Sequence, residues 1–114
     1  MTRAIVTGSR HGVPDTLIRA ALEALPVGHL IHGDAPGVDR QAAEIAASLG
    51  WTVEPFPADW SRGPKAGPER NQRMVEAGAD VCIAFPRAGS KGTWDCVRRA
   101  RAAGIKVLIY TSEI

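Results

Sequence analysis

Two glycine-rich segments of this chain hold the residue types that bind anions. Gly89-Ser90-Lys91-Gly92-Thr93 combines backbone free of side chains, which a ligand can approach closely, with hydroxyls and outward-pointing amides at a helix start. Gly8-Ser9-Arg10-His11-Gly12 follows the same logic, with Arg10 able to fork onto a phosphate and His11 able to exchange a proton near neutral pH. Neither is a familiar nucleotide fingerprint, since the orders GxxxxGK[ST] and GxGxxG are absent. ATP hydrolysis and ordinary NAD dehydrogenation lose support. Plain turns would use the same residues, so their place in the fold has to decide.

Other candidates cluster nearby in sequence. In Gly33-Asp34-Ala35-Pro36-Gly37-Val38-Asp39, Asp39 lies near a helix start, where a carboxylate either caps amides or accepts bonds from ribose hydroxyls. Capping is the simpler reading. Between Trp60 and Arg73, Arg62, Lys65, Arg70 and Arg73 are opposed only by Glu69, so much of the net charge of +2 collects there. Trp60 beside these cations either stacks a base or packs the loop down. Asp95 is the carboxylate beside Gly92 and Thr93, and the helix dipole alone would favour it there. Cys82 and Cys96 read as small core residues.

Strands and helices must bring these loops together. Arg3 to Thr7 is a β-branched run that stops at Gly8, as a buried strand entering a loop should. After Pro14 and Asp15, apolar residues at Leu17, Ile18, Ala21, Leu22 and Leu25 keep a helical period until Pro26 and Gly28. His29 to His32 is a short strand, and Val38, Ala42, Ile45, Ala46 and Leu49 share a helix face that Gly50 terminates. Trp51 to Phe56 reads as a third strand, Pro57 to Gly67 as a long loop, and Pro68 to Ala77 as a third helix stopped by Gly78. Asp80 to Phe85 is the most continuous apolar strand; Thr93 opens a fourth helix that ends near Gly104, and Lys106 to Tyr110 is a last strand.

This alternation implies right-handed crossovers and an α/β fold: a Rossmann-like domain with a parallel five-stranded sheet and helices on both faces. With strand order 3-2-1-4-5 the winding reverses between strands one and four. Ligands in such sheets bind at the carboxyl ends beside the reversal, where the two glycine loops meet.

Composition sets the outer limits. At 114 residues the chain suits one domain, residues 1–114, and a domain this long buries roughly two-thirds of its unfolded surface, enough to fold without staples. Hydrophobic residues at 45% and charged residues at 23% exclude global disorder. A net charge of +2 is too small to imply polyanion binding by itself. The cysteines lack CxxC spacing and the histidines are scattered, so no metal and no cofactor is expected. A reduced, cytoplasmic protein is the expectation, and the short apolar stretch at the N-terminus suggests no membrane partner.

Taken in order, Val6-Thr7-Gly8-Ser9-Arg10, His32-Gly33 through Gly37-Val38-Asp39, Pro57-Ala58-Asp59-Trp60, Ala66-Gly67-Pro68 with Arg70-Asn71, and Ala84-Phe85-Pro86 through Gly92-Thr93 form a pattern. Over nearly the whole chain it resembles the YspA-like branch of the SLOG superfamily, found in bacteria and their phages. The resemblance implies a Rossmann-like fold, binding of a nucleotide or nucleotide-derived small molecule, and a homodimer. It also brings in the LOG-type phosphoribohydrolases, which split a nucleoside monophosphate into base and ribose phosphate with an arginine and the glutamate of PGGxGTxxE. Arg70 matches that arginine and Gly92-Thr93 the GT pair, but Cys96 stands at the glutamate position and Gly89-Ser90 replaces the glycine pair. N-glycosidic cleavage needs a carboxylate. Asp95, one residue away, would point about 100° around the helix. A further relative, the DNA-processing protein that loads recombinase on single strands, keeps nucleic acid as a minor alternative partner.

The expected ligand site therefore draws on Gly8, Ser9, Arg10, His11, Gly33, Gly37, Asp39, Trp60, Lys65, Arg70, Asn71, Gly89, Ser90, Gly92 and Thr93. Phosphate would sit on Gly89 to Thr93 and Ser9-Arg10, opposed by Arg70 and Lys65, with Asp39 on a ribose hydroxyl and Trp60 over the base. Such a domain would sense or sequester its ligand. If instead it is an enzyme, the resemblance implies a phosphoribohydrolase-like N-glycosidase using Arg70 and Asp95.

Overall fold

A computed structural model describes residues 1–111. Its strands are β1 (Thr2–Gly8), β2 (Gly28–His32), β3 (Thr52–Pro55), β4 (Val81–Phe85) and β5 (Lys106–Ile109). Its helices are α1 (Asp15–Glu23), α2 (Val38–Ser48), α3 (Ala66–Glu76) and α4 (Lys91–Ala102). The sheet is five-stranded and parallel throughout, in the order β3-β2-β1-β4-β5.

Side chains alternate across the sheet, so each central strand feeds two cores. Ala4, Val6, Leu30, Ile83 and Phe85 point to one face and pack with Ile18 and Leu22 of α1 and with Val38, Ala42 and Ala46 of α2. Ile5, Ile31 and Cys82 point to the other and meet Met74 of α3 and Cys96 and Ala100 of α4. Register agrees, with Ile5 opposite both Ile31 and Cys82. Because β4 is covered on both faces, every one of its residues is buried, which is why its sequence is an unbroken apolar run.

Several boundaries move. The third helix starts at Ala66 rather than Pro68, and Pro68 is tolerated because a third helical residue has no intrahelical acceptor for its amide. The preceding loop contains a 3-10 turn at Trp60–Arg62, entered through Asp59, whose carboxylate accepts from the Ser61 amide at 3.2 Å. The fourth helix begins at Lys91, so Thr93 lies inside its first turn. The last strand stops at Ile109, and Tyr110 stacks on Phe85 with ring centroids 5.5 Å apart. Among the described residues, no helix is long and apolar enough to cross a membrane.

Candidate functional site

The chain leaves β1 and β4, central neighbours, toward opposite faces of the sheet, so a cleft opens where their carboxyl ends part. The Ser9 amide donates to the Phe85 carbonyl at 3.1 Å and ties the two loops at their root. Above that tie lies a cavity of about 320 Å3. The first loop contributes Gly8, Ser9, Arg10 and His11; the loop before α4 contributes Gly89 and Ser90, and the first turn of α4 Gly92 and Thr93; α2 adds Asp39, and α3 adds Arg70 and Asn71. A second lobe of about 200 Å3 adjoins it, sharing Arg10, Ala35 and Arg70 and reaching Gly33 and Trp60.

Three residues singled out in the sequence lie elsewhere. Gly37 sits behind the cavity at φ 84, where a β-carbon would stand 2.3 Å from the Ser9 carbonyl, so only glycine lets α2 approach the first loop. Lys65 lines neither lobe. Asp95 lines a separate depression with Gln72, Arg98 and Arg99.

Asp39 does not cap its own helix. Its Oδ2 reaches back to accept from the amides of Gly33 at 3.0 Å and Ala35 at 3.3 Å, while the intervening Asp34 amide donates to Nδ1 of His32 at 3.0 Å. Three consecutive amides are thus held by two titratable side chains. Burial pushes the Asp39 carboxyl up to about 6, although the Ala35 and Gly33 amides and the Arg70 charge pull the other way. Burial likewise lowers His32, in keeping with a neutral ring whose Nδ1 accepts.

Arg70 is only 8% exposed, and burial holds its guanidinium below the ordinary value while Asp39 offsets this. It donates to the Gly33 carbonyl and, from Nε, to Asn71 Oδ1 at 2.9 Å. Asn71 in turn donates to the Gly92 carbonyl at 3.2 Å and to Asp95 Oδ2 at 3.0 Å. A buried relay therefore runs from the second lobe to the first turn of α4. At its far end Oδ2 of Asp95 also accepts from Arg99 Nε at 2.9 Å. Burial works to raise Asp95, but the bonds from Asn71 and Arg99 hold it below the usual carboxylate range.

The opposite wall is unfinished. The amides of Gly92 and Thr93 find no acceptor among the described residues. Thr93 and Thr7, 3% and 7% exposed, line the cavity with hydroxyls that make no hydrogen bond there. Lys91 and Arg10 line it too, with no carboxylate partner among the described residues. The guanidinium of Arg10 instead lies over Trp60, 5.3 Å from the ring centroid. Arg10, Arg70 and Lys91 thus outnumber Asp39 among the charged groups that line the cavity.

Sequence reasoning missed Thr7 and Lys91. Thr7 carried a signal, a hydroxyl closing the apolar run Ala4-Ile5-Val6; Lys91 lay inside a segment read for its glycines.

The family model described as the YspA, cpYpsA-related SLOG family matches residues 2–63, from β1 to just past the Trp60 turn. The Gene 61 protein of Mycobacterium phage D29 is 43% identical over 121 residues, covering 96% of this chain and 97% of that protein. The chain belongs to the SLOG family. The family match of this SLOG protein includes Thr7 to His11 and Asp39, whereas Arg70 and the α4 loop lie in the half beyond it. Family membership is consistent with nucleotide-related function. At the position where the LOG resemblance asks for glutamate, Cys96 is wholly buried against β4, and this neighbouring thiol, together with burial, pushes the Cys82 thiol up.

Proposed function

We propose that this SLOG protein binds a nucleotide or a nucleotide-derived small molecule at the carboxyl edge of its sheet and senses or sequesters it intact. One observation carries the reading: the unpaired Gly92 and Thr93 amides and the free Thr93 hydroxyl share one cavity with Arg10, Arg70 and Lys91. A phosphate there would satisfy the helix N-terminus, the hydroxyl and the cations together. Asp39, with Oδ2 engaged on backbone, keeps Oδ1 for a ribose hydroxyl, and the second lobe takes the remainder of the ligand. Hydrolysis through Asp95 loses support, because that carboxylate lies outside the cavity and is held ionised by Arg99 and Asn71.

A second reading, N-glycosidic hydrolysis of a nucleoside monophosphate, is favoured by one feature. Asp39 is a carboxyl of pKa about 6 inside the cavity beside Arg70, which suits a general acid. Incubation of the purified protein with nucleoside monophosphates, NAD, ADP-ribose and cyclic nucleotides, followed by thermal melts and chromatography of the same samples, separates the two. A raised melting temperature with intact ligand supports sensing or sequestration. Released base that disappears in Asp39→Asn supports the hydrolase. A flat response to every compound defeats both.

A further inference from the structure

Trp60 invites the idea of a stacking platform for a base, and the residue is 51% exposed. The structure gives the ring another occupant. The Arg10 guanidinium lies over it at 5.3 Å from the centroid, and both residues line the second lobe, which meets the first at Arg10. Beyond this contact, Arg10 has neither a hydrogen-bond acceptor nor an ion-pair partner among the described residues.

The ring itself is firmly seated. A β-carbon on Gly67 would stand 3.2 Å from Cη2 of Trp60, so the first turn of α3 leaves room for the indole by carrying no side chain there. The 3-10 turn that bears Trp60 is fastened to α3 by the Arg62–Glu69 ion pair at 3.3 Å, and Arg73 NH2 donates to the Pro57 carbonyl at 3.1 Å just before it. An arginine has many rotamers to lose when it binds an anion, and a fixed aromatic face beneath the guanidinium removes part of that cost beforehand.

We infer that Trp60 is a positioning residue: it holds Arg10 at the junction of the two lobes, so that its effect on binding passes through the ligand's phosphate and not through a base. The inference rests on the phosphate site proposed above. It differs from base stacking in one measurable respect, which is whether a ligand with no base feels the loss of the indole.

Binding of AMP and of ribose 5-phosphate to wild type, Trp60→Ala, Trp60→Phe, Arg10→Ala and the double alanine variant tests it by calorimetry. Trp60→Ala should weaken both ligands by the same factor, about two- to fivefold. Trp60→Phe should recover most of the loss, and Trp60→Ala should add little once Arg10 is alanine. Loss of affinity for AMP alone, or additive effects in the double variant, overturns the inference and leaves the phosphate site standing.

A second readout needs no ligand. In labelled protein the Arg10 side-chain NH resonance should be shifted upfield by the indole, retain a shift in Trp60→Phe and lose it in Trp60→Ala. An Arg10 resonance unmoved by Trp60→Ala overturns the platform. Wild-type protein that binds neither phosphate compound defeats the proposed function and, with it, the part played by Arg10 in holding the anion.

Discussion

The two walls of the cavity differ in how far their polar groups are satisfied. On the β2–α2 side the amides of Gly33, Asp34 and Ala35 each have a buried side-chain acceptor, and the Gly33 carbonyl is engaged by Arg70. On the α4 side the Gly92 and Thr93 amides and the Thr93 hydroxyl have none among the described residues. The β2–α2 groups are paired within the protein, as buried polar groups normally are, so that wall behaves as scaffold, while the α4 wall is the receptor of the proposed reading. Substitutions on the scaffold wall should therefore be felt in stability, and those on the receptor wall in binding.

The largest effect is expected at Asp39. Replacement by alanine strands two amides and removes the charge that offsets the burial of Arg70, which should cost about 3 kcal/mol in urea unfolding. Asn keeps an acceptor and should cost less. An Asp39→Ala variant as stable as wild type would erase the distinction between the walls.

Next comes pH. Asp39 has a folded pKa of about 6 against an ordinary 3.8, so the folded state binds this proton first. Its ionised form is a liability above pH 6, relieved as pH falls toward 4. Wild type should thus gain on the order of 1 kcal/mol relative to Asp39→Asn between pH 7 and pH 5. His32 works in the opposite sense. Its pKa is lowered by burial, so its contribution is lost as pH falls below 6.5, and a His32→Gln variant should close that gap. Melting curves of the three proteins at both pH values measure the two contributions separately.

On the receptor wall, Thr93→Val preserves shape and removes one hydroxyl. Stability should change little, whereas affinity for a phosphate-bearing ligand should fall about fivefold, the worth of one hydrogen bond. A stability loss without a binding loss would make Thr93 part of the scaffold. The smallest effect belongs to Lys65→Ala, which lies outside both lobes and should alter neither stability nor affinity by more than about 0.5 kcal/mol.

Much of the architecture was legible because burial on both faces leaves plain marks. The run Val81-Cys82-Ile83-Ala84-Phe85 and the helical spacing of Ile18, Ala21 and Leu22 could be read directly. The meeting of the two glycine loops followed from the strand order. What the residues could not disclose were contacts that depend on backbone shape. Asp39 bonds to Gly33 and Ala35 through a turn in which Asp34 takes φ 55, a conformation rare outside glycine. Asp95 is different, since its partner Arg99 stands four residues on, an ion-pair spacing that the sequence itself displays.

The cavity is shared among four separate connections: Arg10 follows β1, Ala35 follows β2, Arg70 sits on α3 and Thr93 on α4. No partial assembly of the sheet can present it, so a molecule that bridges these groups binds the complete fold and not its opened forms. At a hundredfold excess over its dissociation constant such a ligand would add about 2.7 kcal/mol against unfolding. Cleavage by proteases, which act on opened chains, would slow in proportion, and the amount of protein that survives turnover would itself record how much ligand surrounds it.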